Sequence, residues 1–134
     1  MQRVRWIFRI AAIYGLLVLL PGLFMEARFS IANPPALTHP EFYYGFYGSA
    51  IVWQLVFLLI ASDPARYRAL IGLAVLEKAA FFFPSVWLWQ SGHLAASDPL
   101  WGALVDGLLM LMFGYAWWHS RRIGNGINSD SDPA

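Results

Sequence analysis

Between Tyr67 and Trp89 the chain reads YRALIGLAVLEKAAFFFPSVWLW, a nearly unbroken apolar run that carries Glu77 and Lys78 side by side at its middle. At 1.5 Å of rise per residue, about 20 such residues cover the roughly 30 Å hydrocarbon core of a bilayer. The run therefore predicts a transmembrane helix, with a kink at Pro84. Ser62-Asp63-Pro64 stands just before it, a triplet that closes whatever precedes and starts a new helix, Asp63 as N-cap and Pro64 in the first turn.

Three more apolar runs surround this one. Residues 42–61 form a second span, and residues 100–118 a fourth, preceded by Ser97-Asp98-Pro99, which repeats the cap-plus-proline start. The turn between the third and fourth is Gln90-Ser91-Gly92-His93. Residues 4–25 form the first span, whose Arg5 and Arg9 can snorkel to the nearer headgroups. A cleaved signal peptide is the rival reading of that segment, given the basic start and the small residues Ser30-Ile31-Ala32, but the apolar run is long for one and three spans follow. The stretch from Glu26 to Glu41, with Asn33-Pro34-Pro35 and His39-Pro40, reads as a loop, and residues 124–134 as a disordered polar tail.

The chain has 134 residues, of which 59% are hydrophobic and 13% charged, so one membrane domain is the economical organisation. A net charge of +1 offers no broad basic surface for nucleic acid. The absence of cysteine excludes disulfides, palmitoylation and thiolate metal sites. Arginine falls unevenly along the chain: Arg3, Arg5, Arg9, Arg66, Arg68, Arg121 and Arg122 lie on one side of a four-span arrangement and Arg28 on the other. By the positive-inside rule both termini face the cytoplasm, and a bacterial inner membrane is the expected location. The fold class is thus all-α, a four-helix transmembrane bundle.

Glu77, Lys78 and Asp106 lie too deep in their spans for easy snorkelling, and Gln54 adds a polar amide. A charge at the centre of an isolated helix costs about 2.5 to 3.5 kcal/mol on insertion scales, so such groups turn inward and pair or line a wet cavity. Counted from the cytoplasmic face, Glu77 and Lys78 lie about 15 Å up, Asp106 about 20 Å and Gln54 about 12 Å, one middle layer. Lys78 is expected to pair with Asp106 across the third and fourth spans. Adjacent helical residues point about 100° apart, so Glu77 is expected to face Gln54 or Tyr14 instead. The layer either holds the bundle in register or forms a ligand, proton or substrate site.

Gly45-x-x-Gly48, Gly45-x-x-x-Ser49 and Ala11-x-x-x-Gly15 are small-residue spacings, read chiefly as packing within one chain and otherwise as a dimer seam. Gly102, Asp106, Met110, Phe113 and Trp117 fall on one face of the fourth span. His39, His93 and His119 sit at span ends or in loops without a second ligand at helical spacing, so neither a metal nor any other cofactor is expected. Tyr43, Tyr44 and Tyr47 with Glu41 read as an interfacial aromatic belt.

The run from Tyr14 through Pro21 to Leu23-Phe24-Met25-Glu26 resembles the end of the first helix in EXPERA-type proteins, the emopamil-binding and sigma-2 receptor group, and Gln54-Leu55-Val56-Phe57 is similar to a segment of their second helix. The resemblance implies four transmembrane helices with cytoplasmic ends and a site for sterol-like or cationic amphiphilic molecules. Some members of that group isomerise sterol double bonds. Under it, Glu26 would match an acid at the ligand site and Gln54 would replace one. The chain also resembles small DoxX-like four-helix proteins in layout. The expected function is binding of a small hydrophobic or amphiphilic ligand at Tyr14, Glu26, Gln54, Glu77, Lys78 and Asp106, with membrane lipids around it. The alternatives are an accessory subunit of a membrane complex, with a membrane-protein partner or a second copy of the chain, and a lipid isomerase in which Glu77 moves protons.

Overall fold

The computed structural model describes residues 1–32, 34–94 and 98–129, with side chains for all of these except 98, 99 and 122–129. Five helices follow in order: α1 Gln2–Leu23, α2 Glu26–Ala32, α3 Pro40–Ser62, α4 Arg68–Gln90 and α5 Asp98–Ser129. Four segments are long and apolar enough to cross a membrane: α1, α3, α4 and the part of α5 from Leu100 to Arg121. The all-α, four-helix architecture expected from the sequence is present, and its composition is that of a multi-pass membrane protein.

The exterior supports this placement. Leu17, Trp101 and Leu111 are each about 70% exposed, at 71%, 71% and 68%. Bulky apolar side chains on every flank are unfavourable toward water and natural toward lipid.

α1 lies along α3 and α4 along α5, while α3 and α4 touch over a much shorter stretch. The two pairs meet around three rings. Phe8 stacks on Phe113 at 4.3 Å between centroids, and Phe57 meets Phe113 edge-on at 4.9 Å and Phe8 at 5.8 Å. Ile60 and Ile71 close the cluster. These residues come from the first half of α1, the end of α3, the start of α4 and the later half of the apolar part of α5, so the core shared by all four helices sits toward one end of the bundle. Toward the other end the pairs remain tight internally. A Cβ on Gly107 of α5 would stand 2.7 Å from the Phe82 ring of α4, and Gly22 of α1 is covered by Tyr47 of α3.

Between lipid-soluble helices the transfer of apolar surface contributes little, so the ring cluster holds chiefly through contact. Phe113→Ala is expected to lower stability by about 2 kcal/mol, mostly the cavity it leaves; reversible unfolding in bicelles reads this directly.

Several local readings differ from the structure. Glu26 to Ala32 is a two-turn helix rather than loop: its residues include good helix formers, Glu26 sits in the first turn, and the chain leaves helical structure only before Pro34 and Pro35. Asp63 does not cap α4. Its Oδ1 accepts the Arg66 amide at 3.2 Å, closing a separate turn, and α4 begins at Arg68. α4 carries Pro84 inside it, as expected, and remains helical to the Ser91 C-cap. Gly92, at φ 74°, then donates to the Trp89 carbonyl while His93 donates to that of Leu88, a Schellman closure that needs the left-handed residue. α5 continues to Ser129, beyond residue 124 where the sequence predicts a disordered tail, and residues 130–134 lie outside the described residues, as does Ser97. Arg9 lies exposed, 5.6 Å from the Trp6 ring centroid, but Arg5 is half-buried with its Nε lacking a hydrogen-bond partner among the described residues.

Candidate functional site

Lys78 is the single lysine of the chain and lies only 6% exposed near the middle of α4. Its flexible stem carries the ammonium across to α5, where Nζ stands 3.1 Å from Asp106 Oδ1. The same nitrogen donates to Glu77 Oε1 at 3.2 Å and lies 5.5 Å from the centre of the Phe57 ring of α3. One ammonium thereby touches groups on two helices and the ring of a third. The Lys78–Asp106 pair is the one the depth count indicates.

The orientation of Glu77 is a correction to that count. Backbone direction alone separates neighbours by about 100°, but four methylenes allow the lysine to fold back toward the preceding residue. Glu77 thus shares Lys78 with Asp106 instead of facing Gln54 or Tyr14. Its second oxygen, Oε2, is within 3.2 Å of the ammonium yet accepts no hydrogen bond.

Gln54 is 2% exposed and donates to the Ala50 carbonyl one turn back at 3.0 Å. Its carboxamide oxygen rests on the bare backbone of Gly15, which only glycine permits. The Ala11-x-x-x-Gly15 spacing therefore does pack within the chain. A Cβ built on Gly45 or Gly48, by contrast, would meet nothing within 4 Å among the described residues, so that spacing holds no helix here.

Tyr14 and Glu26 lie apart from the layer. Tyr14 is exposed on the outer face of α1. Glu26 accepts a hydrogen bond from the Tyr44 hydroxyl at 3.1 Å, while the neighbouring Tyr43 hydroxyl donates to the Gly22 carbonyl, so these groups tie the α1 end to the start of α3. Of the proposed ligand set, the structure joins Glu77, Lys78 and Asp106, and Gln54 is engaged instead at the α1–α3 contact. Among the described residues no three His, Asp or Glu side chains gather in a way that suits a metal ion.

What sequence reasoning missed is a hollow beside Glu77. Between α3 and α4 a groove of about 240 Å³ is lined by Phe46, Ser49, Ala50 and Trp53 of α3 and by Glu77, Ala80 and Phe81 of α4. Small side chains on both helices create the space and three aromatic rings wall it. The signal was present in the Gly45-x-x-x-Ser49 spacing, which on this reading leaves space open instead of closing an interface.

No family model, no curated protein and no solved structure matches the chain.

Proposed function

We propose that this multi-pass membrane protein, with both ends on the cytoplasmic side, binds a small amphiphile in the α3–α4 groove, its single polar group against Glu77. The charge count of the layer carries the reading. Glu77 and Asp106 offer two carboxylates to one ammonium. An ion left without a counterpart in hydrocarbon costs several kcal/mol, so the groove favours an occupant that brings a positive charge or a hydrogen-bond donor to Glu77. Phe46, Trp53 and Phe81 suit an apolar body next to a basic nitrogen.

Depth and size narrow the class. Glu77 lies nine residues into α4, about 13 Å from its start, far below headgroup level. A phosphodiester headgroup does not belong there; one amine or hydroxyl on a hydrocarbon body does. A groove of about 240 Å³ takes the polar end of such a molecule and leaves the rest among lipid chains. The resemblance to EXPERA-type proteins points to the same ligand class.

A fluorescent long-chain alkylamine, titrated into the detergent-solubilised protein, tests this. Glu77→Gln is expected to weaken binding by about 1.5 to 3 kcal/mol, the worth of a charge-assisted hydrogen bond, while Leu76→Ala on the lipid face leaves it unchanged. Equal affinity in Glu77→Gln, or equal affinity for the alkane analogue, would remove the proposal. The open Gly45 and Gly48 face favours a second reading, a partner helix laid over the same hollow. That reading requires a protein that co-purifies in fixed ratio and is lost from Gly45→Leu.

A further inference from the structure

We propose that a second cleft, at the opposite end of α4 from Pro84, binds a phosphate-bearing anion. It measures about 440 Å³ and is lined by Ala65, Arg66, Arg68, Ala69, Trp117 and Arg121. Three arginines from separate places line it: Arg66 from the turn before α4, Arg68 as its first residue and Arg121 from where the apolar part of α5 ends. None of the three has a carboxylate within ion-pair distance among the described residues, where the only ion pairs are His39–Glu41 and the two made by Lys78. Asp63, the acid nearest in sequence, accepts the Arg66 amide instead.

The walls are organised. The Arg121 guanidinium lies 4.8 Å from the Trp117 ring centre, and that of Arg66 lies 5.5 Å from the Tyr67 ring, which orients two planar forks on aromatic faces. The Trp117 indole packs over Gly72, one turn into α4, at ordinary contact distance: its Nε1 would stand 3.5 Å from a Cβ there. The start of α4 adds the partial positive charge of a helix N-terminus. Planar guanidinium forks match phosphate oxygens in pairs, and small Ala65 and Ala69 leave the floor low enough for the tetrahedral group. Under the cytoplasmic orientation this cleft stands at headgroup level, so the phosphate can belong to an anionic phospholipid of the inner leaflet or to a soluble phosphate.

Thermal unfolding of the full chain in nanodiscs separates the two. One arm uses phosphatidylcholine alone, one phosphatidylcholine doped with phosphatidylglycerol, and one phosphatidylcholine with millimolar inorganic phosphate against chloride at equal ionic strength. A Tm raised by a few °C in the phosphatidylglycerol arm is expected and marks the lipid source, and a rise with inorganic phosphate marks the soluble one. Either rise should vanish in the Arg66→Gln, Arg68→Gln, Arg121→Gln triple variant, whose preference for the anion should fall roughly a hundredfold. It should persist in Arg3→Gln, Arg9→Gln, where the arginines lie outside the cleft. If the triple variant fails to fold, Arg121→Gln alone should lose part of the rise. Equal Tm in all arms, a rise retained without the cleft arginines, or one lost equally from the Arg3, Arg9 variant would overturn the proposal.

Discussion

Lys78→Met is expected to destabilise the bundle by about 3 to 5 kcal/mol, the cost of leaving buried carboxylates without their partner. Asp106→Asn should cost less, about 1 to 2 kcal/mol, because Lys78 still has Glu77 beside it. The ordering follows from geometry, in which one ammonium serves two acids. In the Lys78→Met background Asp106→Asn should cost almost nothing more, giving a coupling energy well above the scatter of independent sites. Additive losses in unfolding titrations would show that the pair contributes nothing. Lipid cannot hydrate whichever group is left behind, so the asymmetry should exceed that of a comparable pair in water.

The second large effect is expected at Gly15. A side chain there runs into the Gln54 carboxamide, which is walled in on the α1–α3 contact and cannot swing away without losing its bond to Ala50. Gly15→Leu should therefore cost about 3 kcal/mol by forcing the two helices apart. Adding Gln54→Ala frees that space and should recover a good part of the loss. Gly45→Leu, where a Cβ would meet nothing within 4 Å, should stay within about 0.5 kcal/mol of the parent. Glycines of similar sequence context thus differ by what faces them, and melting curves of the three variants read the contrast.

These sites also show what a linear reading can reach. Span positions were legible because hydrocarbon demands long apolar segments, and the Lys78–Asp106 pair because depth along antiparallel helices is simple arithmetic. Rotation about each helix axis is not encoded so directly. Tyr14 and Gln54 fall at compatible depths with the acids, yet Tyr14 turns toward lipid and Gln54 toward Gly15. The reach of a lysine back to its own neighbour depends on rotamers, which residue spacing does not express. The two clefts were less legible still. The groove beside Glu77 depends on where α3 and α4 part, away from the Phe8, Phe57 and Phe113 cluster that draws the four spans together, and the other cleft on which arginines the start of α4 and α5 bring side by side.

The centre of the bundle rests on a single ammonium held by one glutamate and one aspartate. Because Lys78 is the only lysine, ¹⁵Nζ-lysine labels one atom, and its dipolar coupling to ¹³C-carboxyl aspartate and, separately, glutamate can be measured by solid-state NMR in lipid bilayers. Strong dephasing from both labels is expected, at N to C distances of about 4 Å or less, as hydrogen-bonded ion pairs require. A lysine nitrogen that neither carboxyl carbon dephases would mean the ammonium is not held between the two acids, and the central layer described here would not exist.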